Sequence, residues 1–238
     1  MTGRLFVLTG AGISAESGLA TFRGQNGLWE NHRIEDVASP EGFRRDPQLV
    51  QRFYNMRRAQ LQDPKVQPNE AHRALVELER SWPGEFLLVT QNVDDLHERA
   101  GSKKLIHMHG ELMKVRCQRT DQFYQWTGSI DSDASTCECC SETGTLRPHI
   151  VWFGEMPMRM DEIYEYLEGC STFISIGTSG LVYPAAGFVS AVRGNSVRPR
   201  ARTIELNMEP TPQTEMFDEQ LVGPATKTLP ELVMKLLK

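Results

Sequence analysis

The chain has 238 residues, enough to bury a sizeable core, and this length suits one α/β domain with an insertion better than two full domains. Its net charge of −5, from 26 Lys plus Arg against 31 Asp plus Glu without a long basic run, lacks the electrostatic footprint of a binder of nucleic acid or anionic membrane, so neither partner is expected. No uninterrupted apolar run reaches the roughly 18 residues of a membrane span, and the first strand-like run starts almost at Met1, so a cytoplasmic protein without signal or transit peptide is expected.

Leu5 to Thr9 is a short apolar run that passes directly into Gly10-Ala11-Gly12-Ile13-Ser14-Ala15-Glu16-Ser17-Gly18. Such a run ending in close-set glycines reads as a buried parallel strand, a tight turn and the first turn of a helix, the arrangement that cradles a dinucleotide pyrophosphate. Gly10, Gly12 and Ala15 satisfy a loose G-x-G-x-x-G/A pattern, which an ordinary strand-to-helix turn needing positive φ also satisfies. A dehydrogenase would show a second strand ending in Asp or Glu about 20 residues on. Here residues 19–29 are a glycine-bearing stretch without period, which reads as a loop.

Asp46 and Pro47 form a cap and a first-turn proline for a helix to about Gln62, with Val50, Tyr54, Arg57 and Leu61 along one stripe. An arginine on that stripe reads first as a snorkelling edge residue, like Arg58 beside it. Pro68-Asn69-Glu70 starts a second helix whose core stripe is Ala71, Leu75 and Leu78, and His72 on it reads as structural.

Phe86 to Val89 is a second buried strand, followed at once by Thr90-Gln91-Asn92-Val93-Asp94-Asp95-Leu96-His97. Polar residues at the carboxyl end of a parallel strand stand where open α/β sheets bind ligands, although Asp94 or Asp95 could equally cap a short helix. Lys104 to Gly110 is another strand end of this kind, with His107 and His109 alternating onto one face. Thr172 to Ile176, ending in Gly177-Thr178-Ser179, and Arg202 to Leu206, ending in Asn207-Met208-Glu209, repeat the pattern. The stretch from Pro230 to Leu237 reads as an amphipathic closing helix. Five strand-like runs that terminate at the same end in residues a dinucleotide requires are the independent argument for a nucleotide-binding sheet.

Four of the five cysteines, Cys117, Cys137, Cys139 and Cys140, lie in an insertion from about Glu111 to Leu146. In a reducing compartment this clustering points to metal rather than disulfide. Cys137-x-x-Cys140 is one intact half of a tetrathiolate pattern, while Cys117 has Thr120 where its partner would stand. Cys139 could rotate in, a nearby Asp could substitute, or Phe123, Tyr124 and Trp126 could hold a zinc-poor module.

GAGISAESGLATFRG at the first turn, TQNVDDLH at 90–97, HMHG at 107–110, GTS at 177–179 and ELNMEP at 205–210 together resemble the sirtuin family of NAD-dependent protein deacylases, in the family's order and over nearly the whole chain. Thr21 stands where many sirtuins carry Asp and resembles the acid-acyl-lysine branch. The resemblance implies a Rossmann-like parallel-sheet domain of about 1–24, 71–110 and 147–238. It also implies a smaller module, about 25–70 and 111–146, that carries a zinc-ribbon-like insertion.

It implies NAD as co-substrate, contacted by Gly10, Ala11, Gly12, Ser14, Ala15, Thr21, Phe22, Arg23, Trp29, Gln91, Asn92, Val93, Asp94, Gly177, Thr178, Ser179, Asn207, Met208, Glu209 and Ala225. His109 is implied as general base, with Asn92 and Asp94 orienting ribose and water, and His107 as a hydrogen-bonded neighbour. Tyr54 and Arg57 match an acyl-pocket Tyr-x-x-Arg pair, and a guanidinium fork suits a dicarboxyl-derived acyl group. Val151, Trp152, Phe153 and Gly154 are implied as contacts for an extended acyl-lysine peptide of another protein, and Cys117, Cys137 and Cys140 as ligands of a structural zinc. The expected activity is NAD-dependent protein-lysine deacylation, both deacetylation and desuccinylation, with release of nicotinamide. A non-catalytic NAD-sensing acyl-lysine module and a protein mono-ADP-ribosyltransferase remain as alternatives.

Overall fold

The computed structural model describes residues 3–20, 32–194 and 200–238, and the backbone of 28–29. In chain order, β1 (Arg4–Thr9) leads into two 3₁₀ turns, Ala11–Ile13 and Ala15–Ser17, and β2 (Leu28–Trp29) pairs antiparallel with β3 (His32–Arg33). Then come α1 (Ile34–Val37), α2 (Pro40–Arg45), α3 (Pro47–Leu61), α4 (Glu70–Ser81), β4 (Phe86–Thr90), α5 (Leu96–Ala100) and β5 (Leu105–His107). The insertion supplies β6 (Gly110–Cys117), β7 (Phe123–Gln125) and β8 (Leu146–Ile150). The chain closes with α6 (Met160–Glu168), β9 (Cys170–Ile176), α7 (Phe188–Gly194), β10 (Arg202–Asn207), β11 (Glu219–Val222) and α8 (Ala225–Leu236).

Six strands form one parallel sheet in the order β11-β10-β9-β1-β4-β5. From central β1 the chain winds outward through β4 and β5, then returns to the other side of β1 as β9, β10 and β11. The winding reverses between β1 and β9, and a crevice opens at the carboxyl end of such a switch point. β1 and β4 are buried almost throughout, because α4 and α8 cover one face of the sheet and α6 and α7 the other; this explains their unbroken apolar runs. A third core cluster packs α1, α2 and α3 against Leu112, Ile150 and Trp152. The antiparallel sheet β7-β6-β8 and the cysteines form a fourth.

The helix starts predicted at Asp46–Pro47 and at Asn69 are those observed. Asp46 accepts from the Leu49 N–H at 2.8 Å ahead of Pro47, and Asn69 caps α4 by accepting from Ala71 N–H at 2.9 Å. His72 closes the α4 box by accepting the Asn69 N–H on Nδ1 at 3.3 Å, so this histidine is structural, as read.

Several expectations need correction. The glycine turn runs into two 3₁₀ turns instead of an α-helix. The sheet has a sixth strand, β11, whose half-exposed edge pattern gives no apolar run to read. The closing helix begins at Ala225, five residues before Pro230, which lies inside it. Arg58 does not snorkel: it is 1% exposed, and its guanidinium donates to the carbonyls of Leu112 (3.0 Å) and Gly128 (3.3 Å) and to Asn55 Oδ1 (3.0 Å). It thereby ties α3 to the insertion, and burial lowers its pKa to about 10. Among the described residues no helix is long and apolar enough to cross a membrane.

Candidate active site at the ends of the parallel strands

At the switch point the loops after β1 and β9 meet glycine to glycine. A Cβ on Gly10 would lie 2.8 Å from the Gly177 carbonyl oxygen, and one on Gly12 would lie 2.6 Å from the Gly177 Cα. Gly10 has an ordinary extended φ of −129°, so it is glycine for close approach and not for a left-handed turn; Gly177, at φ +60°, answers both needs. The Gly12 N–H donates to the Gly177 carbonyl at 2.8 Å and locks the two loops. Thr178 and Asn207 extend this rim, the Asn207 amide donating to the Thr178 carbonyl at 2.6 Å. Ser179, Met208 and Glu209 are exposed beside them, and Ala225 is buried at the start of α8. Ala11 is half-buried and Ala15 exposed in the first turns.

Beside this cradle lies a buried polar triangle. Ser14 Oγ donates to Asp94 Oδ2 at 3.0 Å and accepts from Asn92 Nδ2 at 3.2 Å, with Asn92 and Asp94 only 7% and 8% exposed. Asp94 also accepts the Leu96 N–H at 3.1 Å, so its side chain holds the first turn of α5 although the N-cap position is Asp95. Burial raises the Asp94 pKa to about 6.

The loop bearing these groups is held carbonyl by carbonyl. Met108 N–H donates to Thr90 O at 3.0 Å, and Leu112 N–H to Val93 O at 2.8 Å. Between them His109 Nδ1 meets Gln91 O at 3.2 Å and His107 Nδ1 meets Asn92 O at 3.0 Å. A carbonyl only accepts, so both Nδ1 atoms carry hydrogen. For His109 this places the lone pair on Nε2, and burial lowers its pKa, keeping the ring neutral near pH 7. A half-buried neutral imidazole with Nε2 as acceptor is fit for a general base.

On the other side of the loop, Trp152 is packed in the core and not open to a peptide. Its Nε1–H donates to the Tyr54 hydroxyl at 3.0 Å, and the Arg147 guanidinium stacks 3.5 Å from its ring centroid. The Val151 and Phe153 N–H groups are already bonded to His109 O (2.9 Å) and Ala38 O (3.0 Å), which removes them as donors to a partner strand. Phe153 and Gly154 are exposed on the turn that follows. Tyr54 is buried, and burial raises its pKa. Arg57, one turn on, is half-buried with its guanidinium carbon 5.1 Å from the Phe53 ring centroid. Thr21, Phe22, Arg23 and the Trp29 side chain lie outside the described residues.

A separate cleft opens under the ends of β1, β9 and β10. It shares Gln91 and Thr178 with the predicted cofactor residues but none of the glycine turn, Asn92, Asp94 or His109. The glycine contact and the polar triangle lie outside this cleft.

In the insertion, Cys139 joins Cys117, Cys137 and Cys140. Their four sulfurs lie within 4.8 Å of one another, which favours the first of the fourth-ligand alternatives. Thr120 Oγ1 sits 3.0 Å from Cys139 Sγ at the edge of the cluster. Four converging thiols are the donor set of a structural zinc, and the cluster is compatible with that ion.

Sequence reasoning missed Ser14 as the hub of the triangle and Glu98, whose carboxylate lies 2.6 Å from His107 Nε2. Only the i, i+4 placement of Glu98 after Asp94, on a short helix next to the strand end, could have pointed to it.

The sequence profile of the Sir2 family matches residues 10–184. A protein of Escherichia coli K12 named NAD-dependent protein deacylase is 58% identical over 235 residues, 99% of this chain and 82% of that one. Its namesake in Yersinia pseudotuberculosis is 58% identical over 97% of this chain and 81% of its own. Among solved structures, a Sir2 homologue in complex with NAD superposes with a TM-score of 0.86 at 40% identity, covering 99% of this chain and 91% of that one. A Sir2 protein bound to acetylated peptide does so at 0.78 and 28% identity, over 97% and 92%. The profile match over most of the chain and the full-length identity to these deacylases establish that the chain belongs to the Sir2 family.

Proposed function

We propose that the chain removes acyl groups from lysine side chains of other proteins in an NAD-dependent reaction, with His109 as general base. The observation that carries this reading is the His109 imidazole, held neutral with Nε2 as acceptor, beside the Ser14–Asn92–Asp94 triangle and the glycine cradle. Bound NAD supplies an electrophilic ribose carbon as nicotinamide leaves and an ADP-ribose that carries the acyl group away. The cradle fits it: Gly10, Gly12 and Gly177 let the loops after β1 and β9 close on each other, and the rim formed by Thr178, Ser179 and Asn207 offers polar groups to phosphate and ribose. Asn92 and Asp94 orient the ribose hydroxyls, and His109 Nε2 takes a proton from one of them, a task that suits a base with pKa near the operating pH. Ala11, Ala15, Gln91, Val93, Met208, Glu209 and Ala225 complete the nucleotide contacts in this reading.

The acyl-lysine peptide lies along the segment Val151 to Gly154 and meets it at the exposed Phe153 and Gly154, while Trp152 stays in the core behind Tyr54 and backs the acyl site. The Arg57 fork and the Tyr54 phenol favour a carboxylate-bearing, succinyl-type acyl group over acetyl, because a guanidinium makes charge-assisted hydrogen bonds to a carboxylate that a neutral acyl cannot accept as strongly. The parallel-sheet unit carries the cofactor residues; α1 to α3 and the cysteine-bearing sheet form the smaller module, and Cys117, Cys137, Cys139 and Cys140 hold a structural zinc that takes no part in the chemistry. The deciding experiment is turnover with NAD on acetyl-, succinyl- and unmodified-lysine peptides side by side. Nicotinamide release that requires an acylated peptide is expected. Acyl-independent transfer of adenine label to protein would replace this reading with ADP-ribosyl transfer, and binding without release would leave a sensing module.

A further inference from the structure

His107 is not spent by this mechanism, yet it is the most constrained imidazole of the strand end. Its side chain is 7% exposed, its Nδ1–H donates to the Asn92 carbonyl at 3.0 Å, and its Nε2 lies 2.6 Å from Glu98 Oε1. Glu98 belongs to α5, which begins two residues after Asp94, so the chain Glu98–His107–Asn92 closes a ring around the loop from Gln91 to Asp95. Asn92 is the residue whose amide binds Ser14 and whose backbone the ring fixes. We propose that Glu98 and His107 are a positioning pair that sets the Asn92 backbone, and through it the Ser14–Asn92–Asp94 triangle, opposite His109. This inference rests on reading His109 as the base of the deacylation.

The chemistry of the pair is specific. The Asn92 carbonyl and the Glu98 carboxylate are both acceptors, and one imidazole satisfies both only when each nitrogen carries hydrogen, that is, as the imidazolium. Burial opposes that charge, but the hydrogen bond and charge of Glu98, with the Asn92 carbonyl, raise the His107 pKa, and Glu98 is correspondingly lowered by its bond to His107 despite burial. A raised folded-state pKa means the pair is fully made below the ordinary histidine value and is lost as pH climbs through the raised one. Above it the neutral ring keeps one N–H and turns a lone pair on either the carbonyl or the carboxylate. The titratable and charged groups around His107 are Glu98 and His97 on α5, Asp94 ahead of it, Glu111 and Lys114 on β6, and His109 two residues on.

Glu98→Gln separates charge from tether. A glutamine can accept from an Nε2–H or, with its amide turned, donate to a bare Nε2, so it serves either state of the ring. Steady-state kcat and both KM values, measured from about pH 6 to about pH 9, are expected to show three profiles. The unaltered chain loses kcat on the alkaline side; Glu98→Gln holds near the neutral-pH rate and loses that limb; Glu98→Ala has kcat reduced about tenfold throughout, with KM for the acyl peptide within about twofold. Melting temperatures of the variants set the assay temperature well below unfolding. A Glu98→Gln profile that superposes on the unaltered one, or a Glu98→Ala kcat within about twofold of it, overturns the pair. His109→Ala belongs in the same series. Retained turnover there removes the base assignment, whereas its loss beside an indifferent Glu98 series removes only the positioning pair.

Discussion

Where residues 90–93 cross 107–112, four successive backbone carbonyls each receive a donor from the neighbouring segment, two from main-chain N–H groups and two from imidazoles. In the insertion, four thiols converge with no disulfide between them, in sulfur contacts of 3.2 and 3.7 Å and beside the hydroxyls of Thr120, Tyr124 and Thr145. The first region is held by bonds the chain makes to itself and is preorganised as soon as it folds. The second gathers donors that would repel one another as thiolates, a repulsion that the zinc proposed there would remove. Catalytic geometry and module stability should therefore fail separately.

The sharpest break on the catalytic side is His109→Ala. Removing the base while the carbonyl ladder keeps its other donors is expected to lower kcat by about 10²- to 10⁴-fold, the usual worth of a positioned general base. The melting temperature should fall by no more than about 4 °C, since only one part-buried hydrogen bond, that to the Gln91 carbonyl, is lost. Peptide-dependent nicotinamide release and a thermal scan of the same sample check both halves.

On the other side, Cys137→Ser is expected to abolish stoichiometric zinc and to cost about 3 kcal/mol, a drop of about 6 to 12 °C for a chain of this size. Because the residues proposed to hold NAD lie at the ends of the parallel strands and outside the insertion, KM for NAD at low temperature should stay within about threefold. Metal analysis and thermal scans with and without chelator measure it. A matching fall in NAD affinity would show that the two regions are coupled.

Arg57→Met sharpens the comparison at α3, which packs between them. Loss of a charge-assisted fork, worth about 1.5 to 3 kcal/mol, should lower kcat/KM for succinyl-lysine about 10- to 100-fold and leave acetyl-lysine within about threefold. Equal losses on both substrates would remove the carboxylate clamp.

The same contrast governs what was legible in the sequence. Strands β1, β4, β5, β9 and β10 are readable as apolar runs ending in polar or small residues, and the caps at Asp46 and Asn69 follow from local chemistry alone. Edge strand β11 was not, because a half-exposed four-residue strand has no apolar signature. Pro230 misplaced the start of α8, since a proline after the first turn of a helix resembles one at its beginning. The burial of Arg58 was invisible because its partners, the carbonyls of Leu112 and Gly128, are backbone atoms on a distant segment. His109 and Asp94 were found as residue types at strand ends. Ser14 as the hub between Asn92 and Asp94, and Glu98 behind His107, depend on side-chain reach between segments roughly 10 to 80 positions apart, which periodicity does not encode.

The smallest expected effect concerns the turn that follows β8. Arg147 grips both oxygens of Glu155 at 2.6 and 2.9 Å, and Glu155 Oε2 also accepts the Trp152 N–H at 2.8 Å, so one carboxylate fixes the turn from Trp152 to Glu155. Burial works against the Glu155 charge, but the Arg147 fork lowers its pKa. A depressed carboxylate keeps its stabilisation above the ordinary value and loses it only as pH falls through the lowered one, so neutral pH leaves the clamp intact. Glu155→Ala should therefore act through geometry and not through titration. It would loosen the turn that presents Phe153 and Gly154 and leave the carbonyl ladder and the glycine cradle alone. KM for the acyl peptide is expected to rise about three- to tenfold, with kcat and KM for NAD within about twofold. Because Arg147 also stacks on Trp152, the companion Arg147→Lys, which keeps the charge and loses the fork, should reproduce the peptide effect. If both variants change the two KM values alike, the turn and the nucleotide site move as one body, and the separation between chain-held and ion-held regions stops short of the peptide cleft.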